Sequence, residues 1–248
     1  MKYIKFVIFF ISAIIIFTIY QMTSNSSITY LALGDGIAKG QTPFDTFGES
    51  YTDYVYKYLS TKKETNANYK TFTKSDYRIT DLINDINNIE TTKTTENLTI
   101  THMLKKADLI TISIGSDELF YKLKQYNDKI KIGNKQKIIE YIDQMFIDMD
   151  NLISTIRKYN KKTIILVGYY NPIPFSQTNE TTMDSIFNYI DLKFSELLDK
   201  NIYYVDIYQI FKNKNQYLPN KNYVFPSLEG YNLISNEIIK LIEKENII

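Results

Sequence analysis

The sequence predicts a three-layer α/β/α domain built on a parallel β-sheet. Three observations carry this. Short apolar runs alternate with amphipathic helical stretches along residues 28–248. The runs are continuously apolar, as strands covered on both faces are, and do not alternate with polar residues. The chain has 248 residues, 44% of them hydrophobic, enough to bury one substantial core.

In chain order, the predicted strands are 28–34 (ITYLALG), 68–73 (NYKTFT), 108–114 (DLITISI), 163–168 (TIILVG) and 202–206 (IYYVD). Helical spacing predicts helices over about 48–60, 78–88, 99–106, 117–126, 135–159, 182–199 and 229–245. The fifth of these has the fullest apolar stripe, with Ile138, Ile142, Met145, Met149, Leu152, Ile153 and Ile156 on one face. The Asn/Thr-rich stretch 86–98 is expected to be a surface loop. No internal repeat or second domain is visible, so residues 28–248 are expected to fold as one unit.

The N-terminus carries a separate signal. Lys2 and Lys5 precede the uncharged apolar run 6–20, with residues 4–20 expected to lie in the membrane, and the polar linker 21–27 (QMTSNSS) follows. No A-x-A cleavage site follows it. The expectation is an uncleaved signal anchor over residues 1–27, with the lysines inside and residues 28–248 on the extracytoplasmic side of the cell membrane. A cleaved signal peptide and a secreted domain form the alternative.

Composition narrows the chemistry. Lys and Arg number 29 against 28 Asp and Glu, which gives no electrostatic reason to expect a nucleic-acid partner. There is no cysteine, so thiolate nucleophiles, disulfides and Cys-based zinc sites are excluded. His102 is the single histidine, and it precedes the third strand. That places it at the amino end of the sheet, whereas ligands of such sheets bind beyond the carboxyl ends of the strands.

The segments following the strands are therefore the informative ones: Gly34-Asp35-Gly36, Ser75-Asp76, Gly115-Ser116-Asp117-Glu118, Tyr169 to Pro174, and 222–231 (NYVFPSLEGY) before the last helix. In this order they resemble the blocks of the SGNH/GDSL hydrolase family of esterases and lipases. "YLALGDGIAKG" resembles the strand followed by G-D-S, "KSDYRITDLI" the block with the oxyanion glycine, and "LITISIGSDEL" the G-x-N-D block. "VGYYNPIP" is similar to a Tyr-Asn-Pro turn of one bacterial branch, and "NYVFPSLEGYNLIS" to D-x-x-H-P followed by Gly-Tyr. The resemblance covers nearly all of residues 28–248 and implies a flavodoxin-like five-stranded parallel sheet in the order 2-1-3-4-5.

The scaffolding residues Gly34, Asp35, Gly115, Pro226, Gly230 and Tyr231 match the family, and the residues that would carry chemistry do not. On this resemblance Gly36 stands at the nucleophilic serine, Asp76 at the oxyanion glycine and Asp117 at the oxyanion asparagine. Asn222 and Phe225 stand at the aspartate and the histidine. Glycine has no oxygen to attack a carbonyl, and phenylalanine moves no proton. An ionised Asp117 would repel the oxyanion, and loss of one donor there costs about 10²–10³ in rate. The expectation is a protein with no catalytic residues, no cofactor and no bound metal, which binds a cell-envelope glycan, lipid or protein.

Two alternatives stand beside this reading. One is an active ester hydrolase, of esterase, lipase or deacetylase type, with a rearranged site in which Ser116 serves as nucleophile. The other is a divalent-cation site made by the acidic rim of Asp35, Asp76, Asp117 and Glu118. Tyr170 and Asn171 are further pocket candidates, and Tyr169, Tyr170, Tyr223 and Tyr231 are candidates to line a sugar- or lipid-binding cleft, in a chain where Tyr is common throughout. Ser227 is expected to cap the last helix.

Overall fold

The computed structural model describes residues 11, 12, 14, 27–67, 69–88, 98–128, 135–173, 180–220 and 223–248. The expected anchor and linker lie almost wholly outside these, as do most of the 86–98 loop, Pro174 and Asn222. Among the described residues no helix is long and apolar enough to cross a membrane.

Strand β1 (Tyr30–Gly34) leads into the short helix α1 (Gly36–Lys39) and then α2 (Tyr51–Lys62). After β2 (Phe72–Thr73) come α3 (Ile79–Asn87) and α4 (Ile100–Lys106). Then follow β3 (Leu109–Ser113), α5 (Ser116–Gln125), α6 (Gln136–Arg157) and β4 (Thr163–Val167). The chain closes with α7 (Glu180–Glu196), β5 (Ile202–Val205), α8 (Tyr208–Phe211) and α9 (Leu228–Lys244). The sheet is parallel throughout and its order is β2-β1-β3-β4-β5, as expected.

β1 and β3 are buried along their whole length, which is why their sequences read as unbroken apolar runs. Helices α2 and α9 pack together on one face, and α3 packs against α6 on the other. The caps are local. The Ser50 side chain accepts from the backbone of α2, and Ser50 and Asp53 form a reciprocal capping box. Ser227 caps α9 through Gly230 N–H at 3.2 Å, as expected.

The second strand departs from expectation. Residues 68–73 were expected to form it, yet only Phe72–Thr73 pair as a strand. Upstream, Asn66 replaces the ladder. Its side-chain amide accepts from Tyr30 N at 2.8 Å and donates to Tyr30 O at 3.1 Å, so β1 is satisfied without a partner strand.

The register fixes where the site forms. Gly34 lies opposite Thr73 on one side and Ser113 on the other, so β1, β2 and β3 end at one level. Gly34 is required there by close approach: a Cβ would lie 2.0 Å from Ser113 O.

Candidate functional site

Asp35 anchors the site and is completely buried. Its Oδ1 accepts from Ile37 N at 3.1 Å, capping α1. Its Oδ2 accepts from Ser116 N at 2.9 Å and Ser116 Oγ at 2.5 Å, tying the turn after β1 to the turn after β3. Burial raises the Asp35 carboxyl well above the usual carboxylate range, and the charge of Asp117 adds to this. Ser116 is thus a buried donor to a structural carboxylate. The structure does not bring it together with an imidazole, because His102 lies exposed on α4, which leads into the opposite end of β3.

Gly36, which the resemblance sets at the nucleophile's position, opens α1 directly after Asp35. A Cβ on it would lie 2.7 Å from Gln41 Oε1, 2.9 Å from Phe225 Cε1 and 3.3 Å from Phe225 Cζ. The Phe225 ring, 8% exposed, therefore takes the room of the missing side chain. A large apolar ring thus packs into the volume that a glycine leaves. The ring's segment is well tethered. Tyr170 Oη donates to Val224 O at 2.7 Å, and Ser227 N donates to Tyr217 O at 2.8 Å.

Asp76 has φ 53°, a left-handed conformation that favours glycine. Its N–H donates to Asp117 Oδ2 at 3.3 Å. Asp117, in the first turn of α5, has its pKa raised to about 6, first by burial and then by the charges of Asp76 and Glu118. The backbone N–H groups of Gly36 and Asp76 oppose that rise by favouring the ionised form. These two N–H groups face a carboxylate of the protein itself.

The remaining pocket residues are structural. Tyr170 stacks on Phe211 at 4.7 Å and packs against Phe120 at 4.8 Å. Asn171 accepts from Ile173 N at 3.0 Å, a local turn contact. Tyr169 donates to Ile114 O at 2.8 Å and Tyr231 to Gln41 O at 2.6 Å. Tyr169, Tyr170 and Tyr231 are buried, so the expected tyrosine-lined cleft does not form; Tyr223 alone of the four is partly exposed. The acidic rim does not form a cation site either: among the described residues no three acidic or histidine side chains converge. Asp35 turns inward to Ser116, and Asp117 turns to backbone N–H groups. Sequence reasoning missed Gln41 and the filling role of Phe225. The one available signal was volume, a glycine and a large aromatic in blocks that meet.

Neither a protein-family model nor a curated protein sequence matches the chain. Solved structures do. A lipase from a goat rumen metagenome superposes with TM-score 0.68 at 20% identity, covering 86% of this chain and 97% of the lipase. An acetylxylan esterase from Geobacillus stearothermophilus gives TM-score 0.55 at 17% identity, covering 88% and 94%. A lipolytic G-D-S-L family protein from Veillonella parvula gives TM-score 0.55 at 12% identity, covering 88% and 99%. The fold is that of the SGNH/GDSL-type esterases and lipases.

Proposed function

We propose that this is a catalytically inactive SGNH hydrolase-like protein, held by its N-terminal segment on the outer face of the cytoplasmic membrane, which binds an envelope glycan, lipid or protein without hydrolysing it. The observation that carries the inactive reading is the Phe225 ring within 2.9 Å of where a residue-36 Cβ would stand. No oxygen nucleophile occupies that turn, and a phenyl ring occupies its approach. Acyl transfer by this design needs nucleophile, base and oxyanion donors acting as a unit. Nucleophile and base are absent at these positions, and Asp117 covers the donors.

Binding falls to the rim beside the closed centre. A shallow cavity of about 550 Å³ lies there, lined by Lys39, Phe47, Gly48, Glu49, Lys70 and Thr73. The Lys39 ammonium sits 4.4 Å from the centroid of the Phe47 ring. An exposed aromatic face beside charged hydrogen-bonding groups suits a glycan better than an acyl chain.

The test is incubation of the purified protein with p-nitrophenyl acetate and butyrate and with a fluorophosphonate probe, beside a Ser116→Ala variant. No turnover and no labelling are expected. Stoichiometric labelling that Ser116→Ala abolishes would replace this reading with a rearranged hydrolase. Binding is tested separately with soluble peptidoglycan fragments and a Phe47→Ala variant, which is expected to weaken it.

A further inference from the structure

We propose that the amino edge of the sheet docks on anionic phospholipid headgroups, so that the domain stands on the bilayer with its closed centre facing away. This rests on the membrane-attached reading above.

The described chain enters the domain at this edge. Ile28 N donates to Glu64 O at 2.8 Å, and Asp108 N donates to Thr29 O at 2.8 Å. Four connections meet around that entry: 62–65 (KKET), 105–108 (KKAD), 157–162 (RKYNKK) and 199–201 (DKN). They are bound to one another. The Asn160 amide donates to Leu104 O at 2.6 Å and Ala107 O at 2.7 Å, and Arg157 reaches Lys162 O at 2.7 Å and Asn201 O at 3.1 Å. Together they carry nine cationic side chains against three carboxylates. Lys62, Lys105, Lys106, Lys161, Lys162 and Lys200 are exposed. The acids at the nearby end of α9 are engaged, Glu243 by Tyr58 Oη at 3.0 Å and Glu245 by Lys244 at 3.3 Å.

Helix dipoles account for part of this. Lys62, Lys105 and Lys106 sit in last turns, where a cation is favoured anyway. Lys161, Lys162 and Lys200 lie in turns beyond helix ends and have no such role. Lys162 is only loosely paired, at 3.8 Å from Asp108. Beside them opens a cavity of about 750 Å³ whose lining carries four cations, Arg157, Lys158, Lys161 and Lys200, against three carboxylates, Asp150, Glu196 and Asp199. At the opposite edge Lys70, Lys74 and Arg78 are paired with Asp53, Asp85 and Asp81, so the excess of cations at the amino edge orients the domain on an anionic surface as well as attracting it.

Reach agrees with charge. The linker 21–27 spans at most about 25 Å when fully extended. A tether that short, ending at Ile28, keeps the basic edge next to the bilayer, where each lysine adds about fivefold to association.

The experiment places the full chain in nanodiscs of phosphatidylcholine alone or mixed with phosphatidylglycerol, and measures amine-reactive labelling lysine by lysine. The expected result is about fivefold lower labelling of Lys105, Lys161, Lys162 and Lys200 in the anionic discs. About 1 M salt should restore it. Lys39 and Lys74, at the other edge, should be unchanged. In Lys161→Gln/Lys162→Gln/Lys200→Gln, Lys105 should lose its lipid dependence. Equal labelling in both discs, with the protein stably held in each, overturns the docking proposal alone. Failure to enter phosphatidylcholine discs overturns membrane attachment, and docking with it.

Discussion

Phe225 stands against Gly36, its Cε1 2.9 Å from where a Cβ on that glycine would be. The two positions that the resemblance assigns to a nucleophile and its base are thus a glycine and the ring packed against it. Reversing either one alone meets the other.

Gly36→Ser is therefore expected to destabilise the protein and to create no esterase activity. Overpacking costs about 1–3 kcal/mol, and each kcal/mol lowers Tm by about 2–4 °C in a domain of this size. Thermal melts of Gly36→Ser and of Gly36→Ser/Phe225→Ala check this. The double variant should recover the clash term, although it loses ring burial. Ester hydrolysis by Gly36→Ser alone, well above background, would refute the account. The smallest reversion worth assaying is Gly36→Ser, Asp117→Asn, Asn222→Asp and Phe225→His together.

Asp117→Asn is expected to stabilise the protein at neutral pH and much less in acid. The folded-state pKa of Asp117 is raised to about 6 by burial, against an ordinary 3.8. The folded form therefore holds the proton more tightly than the unfolded chain. The stabilising effect of that proton is full below pH 3.8 and is lost as pH rises through about 6. At pH 7.5 the ionised group costs about 2–3 kcal/mol, at about 1.4 kcal/mol per pH unit. Urea midpoints at pH 7.5 and pH 4, both read against wild type, test the sign. An equal gain at both values would place the effect elsewhere.

Asp35→Ala is expected to be among the most damaging single changes. It leaves Ile37 N, Ser116 N and Ser116 Oγ without their buried acceptor. At about 1–3 kcal/mol per orphaned donor, a loss of about 3 kcal/mol or more follows. Ser116→Ala removes one contact and should cost about 1 kcal/mol. A double-mutant cycle between the two positions should give a clear coupling energy. Additive losses would mean that the two turns are not tied through this carboxylate.

The proposed membrane attachment predicts that protein recovered from the cell retains residues 1–27 and fractionates with membranes. N-terminal sequencing of protein recovered from the cell checks this, and a start near residues 25–28 would make the domain a secreted one.

The sequence by itself determined the layer architecture, the positions of four of the five strands and the order of blocks along the sheet's carboxyl edge, while the second strand is only Phe72–Thr73 of the expected 68–73. Burial on both faces writes itself into β1 and β3 as unbroken apolar runs, and helix burial writes itself as the stripe on α6. The absence of serine at 36 and histidine at 225 was equally legible, because a missing functional group is a property of residue identity. The tertiary structure alone decided what those absences became. That the Phe225 ring closes the space over Gly36, that Asp117 turns its carboxylate to the backbone N–H groups, and that Asn66 stands in for an edge strand all depend on contacts between distant segments. Local periodicity records which face of an element is buried. It does not record which side chain from another loop arrives to fill a gap, since that is set by packing volume and by where each buried polar group finds a partner.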